Sequence, residues 1–324
     1  MAPSDYPNHA NFTLTFPAPY IAQVEINRPE KLNAFTEPMV HSLGAIFNQL
    51  STDPDVRAVL LTAAGPRAFT AGLDVQSASE SGPLAQSESQ DGPTLDTARK
   101  AVLLRRHILQ FQASVSAVEQ CEKPVIAVLH GISYGIALDI TTCCDVRFCA
   151  RDARFAVKEV DIGLAADVGT LTRLPKANLP MSWVKEVSLT AREFGADEAA
   201  RVGLVSGVFE TREQAVQGAL ALARTIAEKS PVAVQATKEV LNFSRDHSVQ
   251  DGEFAQCPPF VFCCFYTDVL GFSAWFRSLT SPLFFFLPGL NYVAAYNMGM
   301  VQSTDVKDAM LAGLKKTKPK FAKL

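Results

Sequence analysis

Residues 123–150 read KPVIAVLHGISYGIALDITTCCDVRFCA, and the succession of residue types within them decides the fold class. PVIAVL (124–129) is a short apolar run rich in β-branched residues and closed by a glycine-containing loop at 131–135, the pattern of a buried strand. A helical stretch carries Asp139 between Leu138 and Ile140, and DVRFCA (145–150) then reads as a second strand. Upstream, YIAQVEIN (20–27) and RAVLLTA (57–63) repeat the strand pattern. Helical stretches at 36–50 and 98–120 lie between, the latter placing Leu103, Leu104, Ile108, Phe111 and Val115 mostly at helical spacing. Strands alternating with helices predict an α/β architecture with parallel pairing.

From about residue 212 the sequence turns helical, at 212–229, 231–245 and 290–314. Such a block serves either as an oligomerisation element or as a cap on its own core. The expected organisation is therefore a disordered leader (1–11), a core (12–211) holding a long polar loop at 76–97, and a helical region (212–324). The loop is rich in Ser, Gly and Gln and reads as surface chain.

Residues 253–289 fit neither period, being crowded with Phe, Pro and Cys. Asp268 and Arg277 cut the segment into apolar runs shorter than the ~18 residues a membrane span needs. It reads as translated intron. Gly252-Glu253-Phe254 is encodable with a donor splice site, Leu279-Thr280 with a branch point, Pro282–Leu287 as a pyrimidine tract and Pro288-Gly289 with an acceptor. Its removal joins SRDHSVQDG to LNYVAAYNMGMVQ in one helical passage.

A net charge of −3 offers no basic face for nucleic acid, and a 48% hydrophobic content is that of a globular chain with a sizeable core. The seven cysteines lack the spacing of a zinc site or a disulfide framework, so no metal is expected. The terminal Ala322-Lys323-Leu324 is a conservative variant of the Ser-Lys-Leu peroxisomal address. It points to a peroxisomal import receptor as partner and to the peroxisomal matrix, with mitochondria or cytosol as alternatives.

Two glycine loops and three carboxylates are candidates for chemistry. Ala71-Gly72-Leu73-Asp74 follows the strand at 57–63 and a Phe69-Thr70 bridge, and Gly131–Asp139 follows the strand at 124–129. Both set backbone N–H groups at junctions where they stabilise an anion; neither matches a dinucleotide or P-loop pattern. Asp139, Glu159 and Asp167 stand in apolar company, where a carboxylate is expensive unless paired, protonated or functional. Their spacing leaves catalysis and structural hydrogen bonding both open.

The run Lys123–Lys176 resembles the core signature of the crotonase family, FTAGLD (69–74) resembles its first oxyanion loop, and NRPEKLNAF (27–35) its CoA-contacting motif. The resemblance covers about 12–252 and 290–324. Within the family KEVDIGLAADVGTL is similar to the dienoyl-CoA isomerases, since hydratases usually carry Glu at the place of Asp139 and Gly at that of Asp167. The resemblance implies a ββα spiral core, a homo-trimer or hexamer, an acyl-CoA substrate and no added cofactor. It implies a thioester oxygen held by the N–H groups of Leu73 and Ile136, with Thr70, Ala71, Gly72 and Asp74 lining the substrate site. Where relatives often have three glycines this chain has Gly135-Ile136-Ala137, so Ile136 must be right-handed helical for its N–H to serve. The implied reaction moves a proton from C2, taken by Glu159, to C6, given by Asp167, with Asp139 nearby. Other readings are an enoyl-CoA hydratase, a Δ3,Δ2-enoyl-CoA isomerase, or an inert or RNA-binding scaffold.

Overall fold

The computed structural model describes residues 6–81, 96–247, 296–297, 299–300, 302–315 and 317–323. The segment 253–289, read as translated intron, lies outside them. The chain forms two compact units, 1–234 with 320–324, and 235–319.

In the first unit β1 (Phe12–Ala18), β2 (Ile21–Ile26), β3 (Ala58–Ala63), β5 (Val125–Leu129), β7 (Val146–Ala150) and β10 (Gly207–Phe209) form a six-stranded sheet in the order β1-β2-β3-β5-β7-β10. Every pair is parallel except the β1–β2 hairpin at the edge. The four expected strands are β2, β3, β5 and β7, and each is paired as the alternation with helices predicts.

A second sheet, β4 (Ala68–Thr70), β6 (Ile132–Tyr134), β8 (Arg154–Ala156) and β9 (Phe194–Gly195), runs in the order β4-β6-β8-β9. Its first three strands are parallel. They span three residues each, too short to carry a visible hydrophobic period, so nothing in the residue pattern marks them as strands. The pairs β3/β4, β5/β6 and β7/β8 each contribute one strand to each sheet, and a helical element follows each pair. The step from β5 to β6 depends on Gly131: its φ is +50°, and a Cβ there would sit 2.2 Å from the Arg67 carbonyl oxygen. Only glycine allows that approach.

Alternation along the strands divides the core in two. Val59 and Leu61 of β3 and Val125, Ala127 and Leu129 of β5 join Leu43, Phe47, Val115 and Val118 from helices Glu37–Thr52 and Thr97–Gln120. Ala58, Leu60, Ile126 and Val128 point to the other face, against Ala215, Ala219, Leu220 and Ala223 of helix Arg212–Ala227. That helix therefore caps its own sheet, and the core extends past the expected boundary at 211. Burying the second face of a parallel sheet requires such a cover.

The structure adds three details to the sequence reading. Within the leader, of which residues 1–5 lie outside the described ones, Tyr6 is buried, packs its ring at a tilt against Phe16 (centroids 5.6 Å apart) and donates a hydrogen bond to Asp53. The polar segment 76–97 begins as helix Val75–Ser81, because the Asp74 carboxylate accepts a hydrogen bond from the Ser77 N–H (3.1 Å) and caps its first turn. Helix Thr97–Gln120 buries only its second half; Val102, Leu103 and Leu109 are exposed.

The described part of the second unit is helical, with Pro231–Asp246 straddling the boundary and Thr304–Leu314 inside it. Among the described residues no helix is long and apolar enough to cross a membrane.

Candidate active site

Because β4, β6 and β8 lie side by side and parallel, the chain leaves all three at one edge of the second sheet. Residues just beyond them meet there: Ala71–Asp74 after β4, Gly135-Ile136 after β6 and Glu159 after β8. A Cβ built on Gly135 would stand 3.8 Å from the Gly72 Cα and 3.2 Å from Glu159 Oε1. Two loops and a carboxylate from distant parts of the sequence are thus in contact.

The first loop is held from the 27–35 segment. Leu32 O accepts from Ala71 N (3.0 Å), Gly72 O accepts from Phe35 N (2.9 Å), and Phe35 O accepts from Asp74 N (2.8 Å). Buried Asn33 donates to the carbonyls of Ala64 (2.9 Å) and Ala68 (2.8 Å). Arg28 donates to the Ala34 carbonyl and to Asp74, each at 2.8 Å. The Asp74 carboxyl lies below the usual carboxylate range because of its bond from Ser77 N–H and then that from Arg28. Thr70 Oγ1 accepts from Gly72 N (3.1 Å). Thr70, Ala71 and Asp74 therefore shape the loop with polar atoms engaged inside the protein. The Leu73 N–H makes no hydrogen bond to a described residue.

Ile136 opens helix Ile136–Thr141, with Gly135 before it at φ +55° and ψ −115°. Glycine accepts the positive φ, and Ile136 is right-handed helical, the conformation that leaves its N–H at the helix start. The Ile136 N–H, at the start of the helix, is likewise without an acceptor among the described residues. Two amides with no acceptor among the described residues, beside the same loop contact, are an arrangement that can stabilise negative charge on a carbonyl oxygen.

The three carboxylates differ. Asp139 is buried, and its Oδ1 accepts from both the N–H and the hydroxyl of Thr170, each at 2.7 Å. Burial nevertheless holds its carboxyl above the usual range, against the two Thr170 bonds. Glu159 begins the turn Glu159–Ile162, and its Oε2 is buried with no hydrogen-bond partner among the described residues. Burial first, then the charge of Asp139, raises its pKa to about 7. Asp167 is exposed, contrary to the apolar setting its neighbours predict, because the segment 161–165 that leads to it is itself exposed. It is close enough for its charge to raise both Asp139 and Glu159.

Sequence reasoning missed the supports. Gln112 Nε2 donates to the Asp167 carbonyl (2.6 Å), and Arg173 pairs with Glu119 (2.8 Å) and donates to Ser116 (3.0 Å). Gln112, Ser116 and Glu119 follow one face of helix 97–120, a spacing visible in the sequence but without a visible target. Among the described residues no group of three His, Cys, Asp or Glu has the arrangement of a metal site.

Residues 18–255 match the family model described as enoyl-CoA hydratase/isomerase, and the chain belongs to that family. A solved structure titled as a putative enoyl-CoA hydratase from Streptomyces coelicolor A3(2) shares the fold, with a TM-score of 0.74 at 25% identity over 98% of this chain and 95% of that one. Within the family, the chain is similar to the mitochondrial Delta(3,5)-Delta(2,4)-dienoyl-CoA isomerase of Homo sapiens, 39% identical over 314 residues, 96% of this chain and 82% of that protein. It is also 36% identical over 299 residues, 92% of this chain and 91% of that protein, to the peroxisomal Delta(3,5)-Delta(2,4)-dienoyl-CoA isomerase of Arabidopsis thaliana.

Proposed function

We propose that this chain isomerises 3,5-dienoyl-CoA to 2,4-dienoyl-CoA in the oxidation of unsaturated fatty acids. The observation that carries the reading is Glu159, a carboxyl with a pKa raised to about 7, set against two acceptor-free amides and near a second, exposed carboxylate. The thioester oxygen sits between the Leu73 and Ile136 N–H groups, which makes the C2 proton acidic by stabilising the dienolate. Glu159 removes that proton. The charge delocalises along C2, C4 and C6, and Asp167, entering the step as the carboxylic acid, gives its proton to C6, leaving the diene conjugated with the thioester; passing the C2 proton from Glu159 back to Asp167 resets the site. Two groups are needed because C2 and C6 lie too far apart for one short side chain. A base whose pKa lies near the working pH combines ionisation with proton affinity. CoA enters as part of the substrate, and the steps call for no added cofactor.

Hydration of a 2-enoyl-CoA is the second reading, and it leaves Asp167 without a task. The assay that separates them offers each thioester and follows the ultraviolet band of the conjugated 2,4-dienoyl product. Turnover of 2-enoyl-CoA alone would overturn the isomerase reading.

The compartment we favour is the peroxisomal matrix, entered through an import receptor that reads Ala322-Lys323-Leu324. The relatives themselves include both mitochondrial and peroxisomal proteins. A homo-trimer or hexamer is the assembly we favour. Exposed Leu241 on helix Pro231–Asp246, and exposed Met310, Leu311 and Leu314 on helix Thr304–Leu314, support self-association. Light scattering of the purified protein tests it.

A further inference from the structure

We propose that Thr170 is a positioning residue for the proton transfer: by placing both its donors on Asp139 Oδ1 it keeps Asp139 ionised and thereby sets how readily Glu159 gives up its proton. The inference rests on the isomerase reading above and deepens it.

The geometry is specific. Thr170 N–H and Thr170 Oγ1 each lie 2.7 Å from Asp139 Oδ1, and both Thr170 and Asp139 are buried. A carboxylate oxygen has about two lone-pair sites, so the two donors occupy Oδ1, and any proton Asp139 takes up must go to Oδ2. The hydroxyl in turn orients as a donor because an ionised acceptor faces it. Such charge-assisted bonds hold a buried carboxylate in its charged form against the cost of desolvation.

The groups facing Asp139 make this balance sensitive. Cys143, in the turn that follows the helix of Asp139, is a buried thiol pushed far up by burial, and its Sγ donates to the Asp139 carbonyl (3.3 Å). Arg173, on helix Thr170–Arg173, is the cation that favours the charged form, but it is shared with Glu119 of helix Thr97–Gln120. Asp167 opposes ionisation of Asp139 from the site side. With burial and Asp167 against it and a shared cation in its favour, the charged form of Asp139 draws its largest single support from the Thr170 hydroxyl. That charge reaches Glu159, whose ionisation it delays.

The sign of the test follows. Removing the hydroxyl lets Asp139 take up a proton, the repulsion on Glu159 falls, and Glu159 ionises at lower pH. In Thr170→Val the acid limb of kcat/KM for 3,5-dienoyl-CoA should move toward acid by about one pH unit, the effect of neutralising a nearby carboxylate. The plateau kcat should fall about tenfold, as a weaker base requires, with KM within about twofold. Thr170→Ser, which keeps the hydroxyl, should restore the limb to its wild-type position. Thr170→Ala is measured alongside, and the shift is required of whichever variant keeps the wild-type circular dichroism. A folded Val or Ala variant whose limb coincides with wild type, or a Ser variant that shifts like Val, overturns the inference. A wild-type chain that never turns over 3,5-dienoyl-CoA would instead overturn the isomerase reading.

Discussion

Glu159 Oε1 lies 3.2 Å from the position a Cβ would take on Gly135. The residue that frees the Ile136 N–H is thus also the one that makes room for the base. Gly135→Ala should therefore damage the site twice. The φ of +55° costs an alanine about 1–2 kcal/mol, and the methyl displaces the Glu159 carboxylate. We expect a small loss in thermal stability and a loss of activity of at least tenfold. Differential scanning fluorimetry and the diene assay read the two effects separately, and full activity in the variant would show that Glu159 does not need this place.

Glu159→Gln should lower kcat by about 10²–10⁴, the range for a removed general base, without loss of fold. Its stability should change with pH in a defined direction. The folded pKa of about 7 lies above the ordinary glutamate value of 4.5, so in the wild type the folded state is favoured below 4.5 and loses that advantage as pH rises through 7. The Gln variant escapes this loss. It should be no more stable than wild type at pH 4, and more stable at pH 8 by about 1–2 kcal/mol after allowing for partial exposure of the group. Urea titrations at the two pH values measure the difference; equal stability at both would mean that burial does not strain this carboxyl.

Asp167→Asn should abolish most isomerisation while leaving fold and acyl-CoA binding intact. The Gln112 bond is to the main-chain carbonyl, so it survives the substitution and keeps the loop placed. Near-full activity in this variant would remove Asp167 from the role of C6 acid.

The tail makes a separate prediction. Arg57 donates to the carbonyls of Phe321 and Ala322, each at 3.0 Å, and Lys323 pairs with Asp55. A reporter ending in Ala322-Lys323-Leu324 should enter peroxisomes, and deletion of Leu324 or a further C-terminal tag should leave it in the cytosol. Import unaffected by both changes would assign the tail to the fold alone.

Residues 253–289 should be dispensable. A variant in which Gly252 joins Leu290 should be more soluble than the full chain and at least as active, since an aperiodic apolar run offers no single face to bury and invites aggregation. Sequencing the mature transcript is the companion measurement. A message that always keeps these codons, with activity lost on deletion, would make the segment a working part of the enzyme.

By itself the sequence determined four of the six strands of the large sheet and the long helices that cover it, and it singled out three carboxylates and two loops as candidates. Strands such as Ala58–Ala63 are buried on both faces and so read as unbroken apolar runs. Helices such as Glu37–Thr52 and Arg212–Ala227 carry their period over 16 residues each, long enough to be unambiguous. What only the tertiary structure decided is the second sheet and everything it assembles. Three-residue strands have no period to read, and it is their side-by-side pairing that brings Leu73, Ile136 and Glu159 to one edge. Tertiary structure also decided the charge states. Asp139, Glu159 and Asp167 look alike in sequence, yet one is buried under two Thr170 donors, one has an unpartnered buried oxygen, and one is exposed. Ionisation depends on solvent and on charges brought close through space, and neither is encoded in the spacing of residues along the chain.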